Sequence, residues 1–118
     1  MNEQRQWVRC KTRVGVRYAV LPDGLWQQGS TGDLSAGGVR LVTEQPVSAG
    51  ASVQMAVRLP DRERAVNATA QVRWSEQSDV ADRHQQRRFS TSGLEIVEIT
   101  PTDQEVLSQF VARTLYLL

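Results

Sequence analysis

Apolar residues fall on every second position through most of this chain. Val14, Val16, Tyr18 and Val20 form the first such run, the period of a strand with one buried face. Pro22-Asp23-Gly24 supplies a turn, and the segment from Trp26 to Asp33, rich in Gln, Gly and Ser, reads as a weaker return strand. Gly37-Gly38 breaks the chain ahead of a short strand at Val39-Arg40-Leu41-Val42. Past Pro46 and Gly50 the alternation resumes with Val53, Met55, Val57 and Leu59. After Pro60-Asp61 it continues through Val66, Ala68, Ala70, Val72 and Trp74, so two long runs joined by a short polar turn predict a hairpin. Trp74, at the end of that run, is expected in the core. Residues 75–88 are polar and read as a mobile loop. Phe89 to Ile99 reads as the last strand, with Gly93 a bulge or a point of close approach.

The end of the chain changes period. Thr100-Pro101 sets up a helix start, Thr102 with Glu105 matches a capping box, and Asp103 suits the positive end of the helix dipole. Val106, Leu107, Phe110, Val111 and Leu115 then share one face at helical spacing, predicting a helix over about 101–115. The expected fold is mainly β: a small six-stranded antiparallel barrel, split or Greek-key-like, with a C-terminal amphipathic α-helix closing an end or packing on its side. Residues 14–118 read as one domain, preceded by a mobile basic arm over residues 1–13.

Composition narrows the function classes. A chain of 118 residues, 40% hydrophobic and 23% charged, builds one modest core and is not a disordered chain. The single Cys10 excludes an internal disulfide or a CxxC centre, and the single His84 leaves no two-His metal site, so neither metal nor cofactor is expected. No apolar run approaches the roughly 18 residues that span a bilayer, and the opening MNEQRQWVRC lacks a leader's apolar stretch. The expected compartment is the cytoplasm, without membrane insertion.

Net charge is only +1, which argues against broad binding to DNA, RNA or an acidic membrane. Residues 1–17, however, carry Arg5, Arg9, Lys11, Arg13 and Arg17 against Glu3 alone, on a body that is otherwise slightly acidic. Cys10, flanked by Arg9 and Lys11, has the positive surroundings that lower a thiol pKa. A nucleophilic Cys also needs a base, and His84 lies in a distant polar stretch among Arg83, Arg87 and Arg88. No catalytic constellation is visible, so no enzyme is expected.

Two polar clusters are not required by the strand pattern. Arg9-Cys10-Lys11-Thr12-Arg13 has RxxxR spacing just ahead of the first strand, and a guanidinium pair on an arm can grip phosphate oxygens or stack on a base. Asp33-Leu34-Ser35-Ala36-Gly37-Gly38 is a DxSxxG pattern between two strands. Its carboxylate can accept two N–H groups of a planar ring, although Asp, Ser and Gly are equally the residues of an ordinary turn. Arg5 with Arg9 is also RxxxR; Arg9 with Arg13 is preferred because Arg13 abuts the first strand.

In this order, about twenty residues apart and on this scaffold, the clusters resemble the PilZ domain family of cyclic di-GMP receptors. The resemblance covers essentially the whole chain, including Val72-Arg73-Trp74, the strand at Gly93-Leu94-Glu95-Ile96 and the closing helix. It implies that Arg9 and Arg13 contact phosphates and guanine faces, that Asp33 and Ser35 bind guanine edges, and that Gly38 leaves room for the loop to approach. Arg5 and Gly37 are further candidate contacts, and Trp7 or Trp26 could stack on a base. The implied function is a cyclic di-GMP receptor whose arm rearranges on binding and which signals through a protein effector. The alternatives are a family member that keeps the barrel as a protein-interaction adaptor without binding the nucleotide, or a small nucleic-acid-binding barrel.

Overall fold

The computed structural model describes residues 7–81 and 86–116. Arg5 and His84 therefore lie outside the described residues. The strands are β1 (Cys10–Lys11), β2 (Gly15–Val20), β3 (Gln27–Leu34), β4 (Gly38–Thr43), β5 (Ser52–Arg58), β6 (Val66–Ala81) and β7 (Gln86–Ile99), followed by the helix α1 (Pro101–Tyr116). Six of them close on themselves in the order β3-β2-β5-β6-β7-β4, because β4 also pairs with β3; all pairings are antiparallel. The expected six-stranded barrel with one C-terminal helix is the observed architecture. The two residues of β1 add a seventh, short ladder on the outer edge of β3.

The period-two positions fill the barrel. Val16 and Tyr18 from β2, Val53, Met55 and Val57 from β5, and Val66, Ala70 and Val72 from β6 are all buried, with Leu34, Leu41 and Leu94 from the other strands. α1 lays Leu107, Phe110 and Val111 against this core and touches β6 and β1. Two polar contacts fix its ends: Asp103 Oδ2 accepts the Asn67 N–H at 3.1 Å, and Arg113 pairs with Asp61 at 2.8 Å. The helix starts where Thr100-Pro101 sets it up, and not at the Thr102–Glu105 box. Thr100 Oγ1 accepts the Asp103 N–H at 3.1 Å, which makes Thr100 the N-cap and Pro101 the first helical residue.

Two expectations are corrected. Most of the polar segment 75–88 is strand rather than loop: β6 runs on to Ala81 and β7 begins at Gln86, paired as a ribbon through Asp79↔Arg88. The ribbon has solvent on both faces, so it carries no apolar alternation to signal it, and the Asp79–Arg88 ion pair at 3.0 Å crosses it instead. Trp74 is not in the core. A bulge at Arg73 shifts the register between Val72↔Leu94 and Trp74↔Gly93, and a one-residue shift turns the next side chain to the opposite face. Trp74 is 42% exposed, and a Cβ at Gly93 would fall 2.1 Å from its Nε1, so the indole rests where only glycine fits.

Leu107 is fully buried between α1 and the barrel. Leu107→Ala is expected to cost about 2–5 kcal/mol, read as a lower urea midpoint at unchanged slope.

Candidate functional site

The DxSxxG segment forms the turn between β3 and β4. Ser35 Oγ accepts the N–H groups of Gly38 at 2.9 Å and Gly37 at 3.2 Å, and lies 3.2 Å from the Gly38 carbonyl, to which it donates. The Ser35 N–H donates to the same carbonyl at 2.9 Å. At 2% exposure the hydroxyl is engaged within its own turn. Gly38 opposes Glu95 in the β4–β7 ladder, and a Cβ there would stand 2.9 Å from the Leu94 carbonyl oxygen. Glycine at this position lets β4 close on β7. Asp33 faces Arg40 across the β3–β4 pair, with Oδ2 3.0 Å from Nε. The N–H does not point along that line, so Nε makes an ion pair but no aligned hydrogen bond.

The arm is fastened from Cys10 onward. Cys10 pairs with Leu34 and Lys11 with Asp33, while Thr31 Oγ1 accepts the Val14 N–H at 3.0 Å and donates to the Thr12 carbonyl at 2.5 Å. Cys10 is 2% exposed. Its thiol pKa is pushed up, first by burial and then by the Asp33 carboxylate, opposite to the lowering that flanking Arg9 and Lys11 suggested. Those two neighbours are exposed on the other face of the chain, while the sulfur packs into the core.

Above this turn lies an open groove of about 1080 Å³. Its floor is Gly37, Gly38 and Gly93, its aromatic walls are Trp7 and Trp74, and its charged groups are Arg9, Arg40 and Arg73 against Glu95 and Glu98. Arg73 and Glu95 are ion-paired to each other. Arg9 Nη2 stands 3.8 Å from the place a Cβ on Gly38 would take, and among the described residues Arg9 has no acidic partner. The structure thus brings together Arg9, Ser35, Gly37 and Gly38; Asp33 does not line the groove but is ion-paired to Arg40, which does. Arg13 is exposed between β1 and β2 and does not line it. Trp26 is elsewhere, with the Arg17 guanidinium 5.6 Å from its ring centre.

Sequence reasoning missed three of the lining groups. Arg40 had a signal, since a hairpin folded about Ser35–Gly37 sets it opposite Asp33. Trp74 and Arg73 had none, because the bulge that turns the indole outward is invisible in the alternation. Among the described residues no group of three metal-ligating side chains occurs, and no helix is long and apolar enough to cross a membrane.

The PilZ domain family model matches residues 3–113. Comparison with curated proteins gives no match. Among solved structures, the chain is similar to the PilZ domain of YcgR from Escherichia coli, solved with c-di-GMP, at 17% identity and a TM-score of 0.74, covering 98% of this chain and 94% of that one. It is similar to MotI/DgrA, the inhibitor of motility of Bacillus subtilis, at 27% identity and 0.71 over 98% of this chain and 53% of that one. MrkH, a transcription regulatory factor described as c-di-GMP dependent and known from K. pneumonia, matches at 13% identity and 0.77 over 98% and 52%. The chain spans about half the length of MotI/DgrA and of MrkH.

Two variants check this geometry without any ligand. Ser35→Ala leaves the Gly37 and Gly38 N–H groups without their acceptor and is expected to cost about 1–3 kcal/mol in a urea titration. The Cys10 thiol is expected to resist Ellman's reagent at neutral pH until denaturant is added. Rapid labelling of the native protein would contradict its place in the core.

Proposed function

The chain belongs to the PilZ domain family, and on that premise we propose that it is a receptor for cyclic di-GMP that acts through a protein partner. The observation that carries this reading is Arg9: an exposed guanidinium without an acidic partner among the described residues, standing beside Gly38 in a groove walled by two indoles. Cyclic di-GMP offers two phosphodiesters for guanidinium forks and a purine face for the exposed indole of Trp74. A groove of about 1080 Å³ is at the roomy end for a small ligand and has space for such a dinucleotide. The fold shared with the YcgR domain, solved with c-di-GMP, supports the same ligand. No metal or cofactor enters this reading, and its compartment is the cytoplasm.

Within that site the groove favours one arm register. Arg9 lines it and Arg13 does not, so the RxxxR pair that best suits the ligand is Arg5 with Arg9. Asp33 accepts guanine N–H groups once Arg40 swings from it to a phosphate. Ser35 and Gly38 act by shaping the turn that presents Asp33 and Arg9 to the nucleotide, and Gly37 floors the groove.

One observation favours a second reading. Asp33, Ser35 and Gly38 all have structural partners already, so the motif would persist in a barrel that serves only as a protein-interaction adaptor. Calorimetric titration of cyclic di-GMP separates the two. The wild type is expected to bind with a micromolar or tighter Kd, and Arg9→Ala to weaken binding about tenfold to a hundredfold. Arg13→Ala is expected to change it by no more than about threefold, the scale of a surface substitution. No heat and no thermal stabilisation of the wild type would leave the adaptor reading in its place.

A further inference from the structure

Trp7 occupies a position that neither polar motif accounts for. A Cβ at Gly37 would fall 1.9 Å from its Cδ1 and 2.4 Å from its Nε1, so the indole lies directly on the glycine backbone. Gly37 is not in the left-handed region, where Gly50 is the only glycine with positive φ among the described residues. Glycine is therefore required at 37 for space and not for backbone conformation. Alanine there would keep the turn, including the Gly37 carbonyl that accepts the Ile96 N–H at 2.9 Å, and would evict the ring.

The indole is also a shared wall. One side faces the groove that holds Arg9, and the other bounds an apolar cleft of about 450 Å³ formed with Val8, Ala36, Val111 and Leu115. Three residues on, Cys10 is buried and paired with Leu34. Arg9 thus sits on a short span fixed at both ends, by the ring on Gly37 before it and by the sheet after it. Without the first anchor, residues 7–9 would be held from one side only and would have to be ordered by the ligand.

We propose that Trp7 is a positioning residue, seated on Gly37 so that Arg9 is held at the groove before any ligand arrives. The inference rests on the receptor reading for its consequence but not for its geometry. Ordering a few backbone residues at the moment of binding costs on the order of tenfold or more in affinity, which the seated ring spares.

The test combines ligand-free and ligand-bound measurements on the whole chain. Backbone ¹⁵N relaxation without ligand is expected to show the Arg9 amide ordered in the wild type and freely mobile in Gly37→Ala and in Trp7→Ala, with unchanged melting of the barrel. In cyclic di-GMP titrations, both variants are expected to weaken binding about tenfold, Trp7→Phe to recover part of the loss, and Trp7→Ala to add nothing in an Arg9→Ala background. An Arg9 amide equally ordered in Gly37→Ala overturns the inference, whatever the wild type binds. Additive losses in the double variant also overturn it, since they assign Trp7 its own contact with the nucleotide. A wild type that gives no heat, with Arg9 order that still depends on Gly37, sinks the receptor reading alone and supports the seat.

Discussion

The barrel closes through the β3–β4 turn, and one hydroxyl holds that turn. Ser35 satisfies the Gly37 and Gly38 N–H groups from a fully enclosed position, where an unmet donor is costly. The geometry it fixes lets Gly38 run close under the Leu94 carbonyl, which seals β4 to β7. It also sets Arg40 opposite Asp33 and leaves Gly37 uncovered as the surface on which Trp7 rests. Barrel closure, the floor of the groove and the attachment of the arm are consequences of the same few atoms.

This changes what the DxSxxG pattern means physically. Two of its three named residues, Ser35 and Gly38, already serve the β3–β4 turn and the β4–β7 seam, whether or not a nucleotide ever enters the groove. Apart from the Asp33 carboxylate, the groups with capacity for a ligand stand around the pattern: the Arg9 guanidinium, the exposed edge of Trp74, and Arg40, whose Nε faces Asp33 without an aligned hydrogen bond. The charges that line the groove nearly balance, with Arg73 spent on Glu95. On the proposed receptor reading, capture of an anion there would depend on how accurately the arm is placed, not on a strong general field.

Most of the fold could be read from the residues because five of the barrel strands bury one face and therefore alternate. The remaining barrel strand, β3, was legible mainly from its flanking turns, since it carries Gln, Gly and Ser in place of an apolar stripe. What stayed hidden had specific causes. The β6–β7 ribbon is wet on both faces and leaves no periodic trace, and the bulge at Arg73 reverses the side on which Trp74 emerges. The helix start, by contrast, was legible in Thr100-Pro101, and only the competing Thr102–Glu105 spacing misleads about the cap. In the arm, repeats of Arg at every fourth residue made the register ambiguous. Only the burial of Cys10 and the place of Arg9 in the groove distinguish Arg9 from Arg13.

A closed barrel has no free strand edges, which protects it from pairing with other chains. The ribbon gives up that protection locally. From Arg73 to Ala81, β6 has only β7 beside it, and from Gln86 to Phe89, β7 has only β6. Here the backbone presents unpaired hydrogen-bonding groups to water, and the chain guards them with charge: Glu76, Asp79, Arg87 and Arg88 stand along the exposed stretch. A second ribbon laid alongside would have to strip water from those groups or set like charges together. Charge along the described part of the ribbon therefore works against edge-to-edge pairing there, in place of the closure that protects the barrel.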